Sequence, residues 1–252
     1  MPGEPLDGPR AETILGYFGK VPTHGDFVRR GLPKAFLDPW DDWLQTAIGS
    51  SKERLSESWL DIYLTSPVWR FALSPGLCGE AVAAGVLMPS VDAVGRYYPM
   101  TIAGIFPGME TPFHVADASW LTAAQEATLS CLEKDFSLEA FEARLDEIAT
   151  GLGAGTAGAA ESGGGLGVRP WSACTNGLAW TIDAGSLDRL GAEVYPALLH
   201  ATAEGRLGAY SIWWSDGSDR VPPCLRLIGR LPSAEDFIGL LTNEARSESL
   251  SL

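Results

Sequence analysis

AVAAGVLM, residues 81–88, and YYPMTIAGIF, residues 97–106, are the stretches on which the fold turns. The first is a continuous apolar run, too short for a typical helix and consistent with a strand buried on both faces. The second is a further strand candidate, with Pro99 confined to its start or to a bulge because proline cannot donate to a sheet ladder. Only PSVDAVGR separates them, so a hairpin-like connection and antiparallel pairing are expected. Just upstream, Val68 to Leu73 (VWRFAL) alternates, with Val68, Arg70 and Ala72 opposite Trp69, Phe71 and Leu73.

Moving toward the N-terminus, Thr13 to Phe18 (TILGYF) reads as a strand, followed by the loop GKVPTHGDF. Pro33 suits the first turn of a helix in which Phe36, Trp40, Trp43, Leu44 and Ala47 form an apolar stripe. Pro39 either kinks that helix or follows Asp38 as its first residue. A second helix begins near Ser56, a candidate cap. Moving toward the C-terminus, helices are expected over Ser119 to Lys134 and Leu138 to Thr150. The glycine-rich stretch 151–167 reads as an internal loop or linker. Beyond it come a strand (Leu178 to Ile182), a helix (Leu187 to Glu204), strands at Ala209 to Ser215 and Cys224 to Ile228, and a helix at Ala234 to Thr242. Asp216-Gly217 is a turn signal. This order points to an α/β sandwich, helices covering a largely antiparallel sheet, in one domain spanning 12–242 with flexible tails at 1–11 and 243–252.

The 46% hydrophobic and 20% charged fractions describe a globular chain with a substantial core. Nine tryptophans fit a well-packed interior, an aromatic interaction surface, or both. The net charge of −14 repels phosphate backbones and anionic lipid, so nucleic acid is not an expected partner. Against that background Lys20, Arg29, Arg30 and Lys34 form a basic island, either a solvated loop or a dock for an acidic partner. The four cysteines have no C-x-x-C spacing and read as reduced. No signal peptide and no membrane span are read, so a cytoplasmic location is expected.

Motifs for chemistry are sparse. Gly153 to Gly158 matches G-x-G-x-x-G but lacks the strand before it and the helix after it that a dinucleotide site needs. His24, His114 and His200 stand apart, without metal-ligand spacing. No G-x-S-x-G elbow occurs. No cofactor and no catalytic residue are therefore expected, although a site assembled from Asp26, Arg70, Asp92 and Arg96 would support an enzyme.

Three segments are dense in aromatics, turn residues and isolated charges, and they carry a family resemblance. G-K-x-P-x-x-G-D-F (Gly19 to Phe27), R-x-L-P-K-A-F (Arg30 to Phe36), W-D-x-W-L (Trp40 to Leu44), S-P-V-W-R-F (Ser66 to Phe71) and G-V-L-M-P-S-V-D-x-V-G-R-Y-Y-P (Gly85 to Pro99) resemble the TagF family, also called ImpM. S-I-W-W and G-R-L-P-x-x-x-x-F extend the resemblance to Leu241. It implies a three-layer α/β sandwich and a bacterial, cytoplasmic, non-enzymatic accessory protein of type VI secretion. It further implies post-translational repression of assembly through binding to that system's forkhead-associated scaffold protein, with any phosphatase and kinase regulatory pair being separate proteins. An enzyme, a small-ligand sensor and a structural subunit are the alternatives. The candidate contact residues are Lys20, Asp26, Phe27, Arg29 and Arg30 beside Trp40 and Trp43, then Ser90, Asp92 and Arg96.

Overall fold

In the computed structural model of the protein, β4 (Val82–Met88) and β5 (Met100–Phe106) pair antiparallel through their whole lengths at the centre of a seven-stranded sheet. The structure describes residues 12–116, 119–160, 167–170, 180–183, 191 and 194–243. Side chains along β4 point alternately to two cores. Val82, Ala84, Val86 and Met88 face one, and Ala83 and Leu87 face the other. Every residue of both strands is buried, as the apolar runs require.

β3 (Trp69–Leu73) borders β4, and β1 (Ile14–Gly19) borders β5. β2 (Val28–Arg30) closes the β1 side. On the other side β8 (Ser211–Ser215) pairs with β3 and β9 (Cys224–Ile228) with β8. The order is β2-β1-β5-β4-β3-β8-β9, and every pair is antiparallel. Chain from either side of the glycine-rich stretch thus contributes to one sheet. β6 (Gly167–Pro170) and β7 (Trp180–Asp183) form a separate antiparallel pair.

Helices cover both faces, giving the three-layer sandwich. α1 (Lys34–Leu55), α2 (Trp59–Leu64) and α7 (Ala234–Thr242) lie on the face of Phe18, Phe71, Leu87 and Trp213. α4 (Ser119–Ser130) and α5 (Leu138–Ala160) lie on the face of Tyr17, Val86, Ile102 and Ile212, which also receives α3 (Phe113–Ala116) and α6 (Tyr195–Leu207). Among the described residues no helix is long and apolar enough to cross a membrane.

Several local readings need correction. α1 begins at Lys34 on an extended Pro33 and runs unbroken through Pro39. Pro39, in the second turn, forgoes the bond its N–H would make to the Ala35 carbonyl, and the packing of Phe36, Trp40 and Leu44 carries the helix through it. Ser56 does not cap a second helix: it ends α1 with φ +47°, and its hydroxyl donates to the Glu53 carbonyl. The expected loop from 151 is helical as far as Ala160. Phe141, Leu145, Ile148 and Leu152 anchor α5 to the core, and extension of an existing helix through alanines offsets the cost of the glycines. Gly153 to Gly158 therefore lies within a helix, and Gly167 opens β6. α6 starts at Tyr195, with 187–190 outside the described residues, as are 178–179, 161–166 and the expected tails 1–11 and 244–252.

Candidate interaction surface

At one end of the β1–β5–β4 ladder, two loops are locked together. Lys20 to Phe27 links β1 to β2, and Pro89 to Pro99 links β4 to β5. The second loop folds back on itself through a Val91–Tyr97 bridge and a tight turn in which the Gly95 N–H donates to the Asp92 carbonyl at 3.0 Å. Gly95 takes φ +85°, a conformation in which a side chain would be strained.

Asp92 is the centre of the lock. Its Oδ1 accepts the Val94 and Arg96 backbone N–H groups at 3.0 and 2.8 Å. Its Oδ2 accepts Lys20 Nζ at 2.8 Å and Arg96 Nε at 2.7 Å. Burial of the carboxylate pushes its pKa up, but the Lys20 ammonium and the Arg96 groups outweigh that and hold it well below the ordinary range. Further ties join the loops: the Ser90 hydroxyl donates to the Lys20 carbonyl at 2.7 Å, Ala93 N–H to His24 O at 2.9 Å, and the Arg96 guanidinium to Gly25 O. Tyr63 OH donates to the Ser90 carbonyl and accepts the Ser90 N–H, pinning the assembly to α2.

Over this lock sits an aromatic cluster. Phe27 stacks on Phe18 with centroids 5.2 Å apart and meets Tyr98 edge-on at 4.8 Å, while Lys20 Nζ lies 4.9 Å from the Phe27 centroid. Tyr98 OH donates to Asp41 Oδ1 at 2.5 Å, and burial together with that carboxylate raises the Tyr98 pKa strongly. Phe27 is nonetheless 41% exposed, and Val94 on the neighbouring turn 69%. Asp26, Arg29 and Arg96 are exposed beside them.

The candidate residues therefore divide. Asp26, Phe27, Arg29 and Arg96 lie together on a surface. Lys20, Trp40, Ser90 and Asp92, offered as contact candidates, are buried instead. Lys20 is drawn in by Asp92. Trp40 packs against Phe71 and donates to Thr101 Oγ1 at 3.1 Å, and Trp43 donates to the Pro232 carbonyl at 2.7 Å, so both indoles serve the core. Arg30 is tied to Asp146 at 2.6 Å and to Glu142, which fastens β2 to α5. Lys34 pairs with Asp38 one turn along α1. Among the described residues Arg29 is left without an ion pair. Arg70 joins neither Asp92 nor Arg96, because it pairs with Asp216. Val94 was not a sequence candidate; an apolar residue just before the turn glycine was its only signal in the sequence. Cys78 and Cys131 are buried, each thiol pushed up to about 12 by that burial. Cys174 lies outside the described residues. Among the described residues no His, Cys, Asp and Glu side chains group as metal ligands.

The Asp92 geometry fixes a pH dependence. A carboxylate with a depressed folded pKa stabilises the fold fully above its unfolded pKa, about 4, and loses that contribution as pH falls toward the folded value. The urea midpoint of Asp92→Asn should lie well below that of the wild-type chain at pH 7. The gap should narrow from about pH 4 downward. A gap that stays constant on acidification would show that Asp92 is not the charged centre of the lock.

The comparisons with known proteins agree with this architecture. A family model described as the TagF N-terminal domain, type VI secretion system-associated, matches residues 16–148, which include both locked loops. The chain is also similar to PA0076 from Pseudomonas aeruginosa PAO1, whose crystal structure superposes with a TM-score of 0.73. The two are 33% identical over 92% of this chain and 96% of that one. No curated protein matches the sequence.

Proposed function

Because the chain belongs to the TagF family of type VI secretion system-associated proteins, we propose that it is a non-enzymatic, cytoplasmic repressor of that system's assembly. It acts by binding the forkhead-associated scaffold protein through the Phe27 surface. The observation that supports this reading is an exposed aromatic ring held over the locked loops, beside an arginine with no ion pair among the described residues. A pre-ordered aromatic loses little conformational freedom on binding, and aromatic–arginine clusters are frequent binding hot spots. Asp92 accepts four donors and the Ser90 hydroxyl is engaged with a carbonyl, so both are committed to holding loops rather than to moving protons. Repression then needs only a higher affinity for the free scaffold than for its assembled state.

The test is the affinity of the purified full chain for the scaffold protein. Phe27→Ala combined with Arg29→Glu should weaken binding about thirtyfold or more, in a chain that circular dichroism shows still folded at the assay temperature although it has lost the Phe18 and Tyr98 ring contacts. Arg30→Glu is a poor substitute, because Arg30 holds β2 to α5. Lys34→Glu, on an exposed helix position, should leave binding intact. Equal affinity of the double variant and the wild-type chain would remove the Phe27 surface from the mechanism. Failure of the wild-type chain to bind the scaffold would remove sequestration itself.

A further inference from the structure

Arg70 lies on an inner strand and carries a buried donor that has no acceptor among the described residues. It projects to the α4 and α5 face, opposite Trp69 and Phe71. Level with it across the sheet are Val86, Trp214 and Leu225. Cover thins along that row. Val86 is sealed, the Arg70 side chain is 17% exposed, Trp214 is half-buried and Leu225 is 67% exposed. The next row ends the same way, from buried Ala72 and Ile212 to an exposed Leu227.

One edge of a guanidinium presents Nε–H and an Nη2–H in parallel, spaced to meet both oxygens of one carboxylate. In Arg70 that fork is half filled. Nη2 donates to Asp216 Oδ2 at 3.2 Å, and Asp216 is itself 76% exposed. Nε is buried with no acceptor among the described residues. A desolvated donor left open is costly, and a carboxylate is the group that fills it.

We propose that Arg70, Trp214, Leu225 and Leu227 form a second docking site, for a segment of a partner protein that presents a carboxylate flanked by apolar side chains. The carboxylate displaces Asp216 and occupies the Arg70 fork, and the apolar neighbours cover the strip that ends at β9. The strip is open along the sheet margin, a shape for a chain segment and not for an enclosed small molecule. It lies at the β9 end of the sheet, away from Phe27 next to β2, and does not rest on the role given to Phe27.

The probe is a short capped peptide with one glutamate between leucines, its glutamine twin, and octanoate, each titrated into the ¹⁵N-labelled full chain. The Arg70 Nε–H and Trp214 indole resonances should move saturably with the glutamate peptide. The glutamine twin should bind about tenfold more weakly. Arg70→Lys, which keeps the charge and loses the fork, should abolish the preference for glutamate. Leu225→Asp, at an exposed position, should weaken binding of both peptides, so a folding defect of the Arg70 variant leaves the test intact. Asp216→Asn should tighten the glutamate peptide. Phe27→Ala with Arg29→Glu should leave all of this unchanged, which separates the site from the Phe27 surface. Equal binding of the two peptides, no shift with either, or octanoate matching the glutamate peptide would overturn the proposal.

Discussion

Trp40→Ala should cost about 3–5 kcal/mol, a large share of the roughly 5–15 kcal/mol that holds a domain folded. Trp40 is fully buried where α1 meets the sheet. Its ring lies 4.6 Å from Phe71, 5.3 Å from Phe36 and 6.1 Å from Trp213 by centroid, and Trp43 flanks it at 4.8 Å. Removing the indole opens a cavity among groups that are themselves held by other contacts, so the site collapses poorly. It also takes away the donor that Thr101, fully buried in β5, accepts. Trp40→Phe keeps the larger part of the packing but loses that bond and the volume of the five-membered ring, so its cost should be smaller, about half. Urea unfolding followed by far-ultraviolet circular dichroism measures both. A Trp40→Ala chain within about 1 kcal/mol of wild type would mean that the α1 layer is not organised around this ring.

The layers were legible because their signals are local. The apolar run 81–88 fitted a strand buried on both faces, 97–106 was a further strand candidate, and the alternation through Val68 to Leu73 set Trp69 and Phe71 on one face and Ala72 on the other. Cys224–Ile228 and Ala234–Thr242 fall where their spacing placed them. The site was less legible, because exposure is a property of the assembled fold. Lys20 and Asp92 are 72 residues apart, and nothing local to either says that they meet. A lysine in a glycine-rich loop reads as solvated until a buried carboxylate from another loop claims it. The core reading of the helical stripe holds for Trp40 and Trp43, while their placement beside the contact surface does not, because a stripe does not say what covers it. β2 escaped notice because three residues, two of them arginine, carry no strand signal of their own; pairing with β1 makes the strand. The glycine-rich 151–160 segment failed in the opposite sense, since its composition speaks for a loop while the preceding turns of α5 extend through it.

Gly85→Ala should abolish the native sheet, at a cost above about 3 kcal/mol, because the methyl group has nowhere to go. A Cβ built on Gly85 falls 2.1 Å from the Ile102 carbonyl oxygen, 2.9 Å from Ala103 Cα and 2.8 Å from the tip of the Phe71 ring. Two of those obstacles are backbone of the paired strand β5, so relief requires β4 and β5 to separate where their ladder is continuous. The effect reaches the candidate surface directly. β4 ends at Met88, and the next residues are the loop that Asp92 locks to Lys20, so a displaced β4 also carries the Phe27 platform out of place. Two further variants identify the cause. Phe71→Leu combined with Gly85→Ala removes the ring contact and leaves the carbonyl, so it should not restore folding; restoration would place the obstruction in the Phe71 ring. Gly49→Ala is the matched control, since a Cβ there meets nothing within 4 Å in the interior of α1. That substitution should stabilise the chain by about 0.5–1 kcal/mol, through the lower helical cost of alanine. The same chemical change, one methyl group added to a glycine, thus has opposite signs at two positions, and a soluble-expression screen followed by urea midpoints reads both.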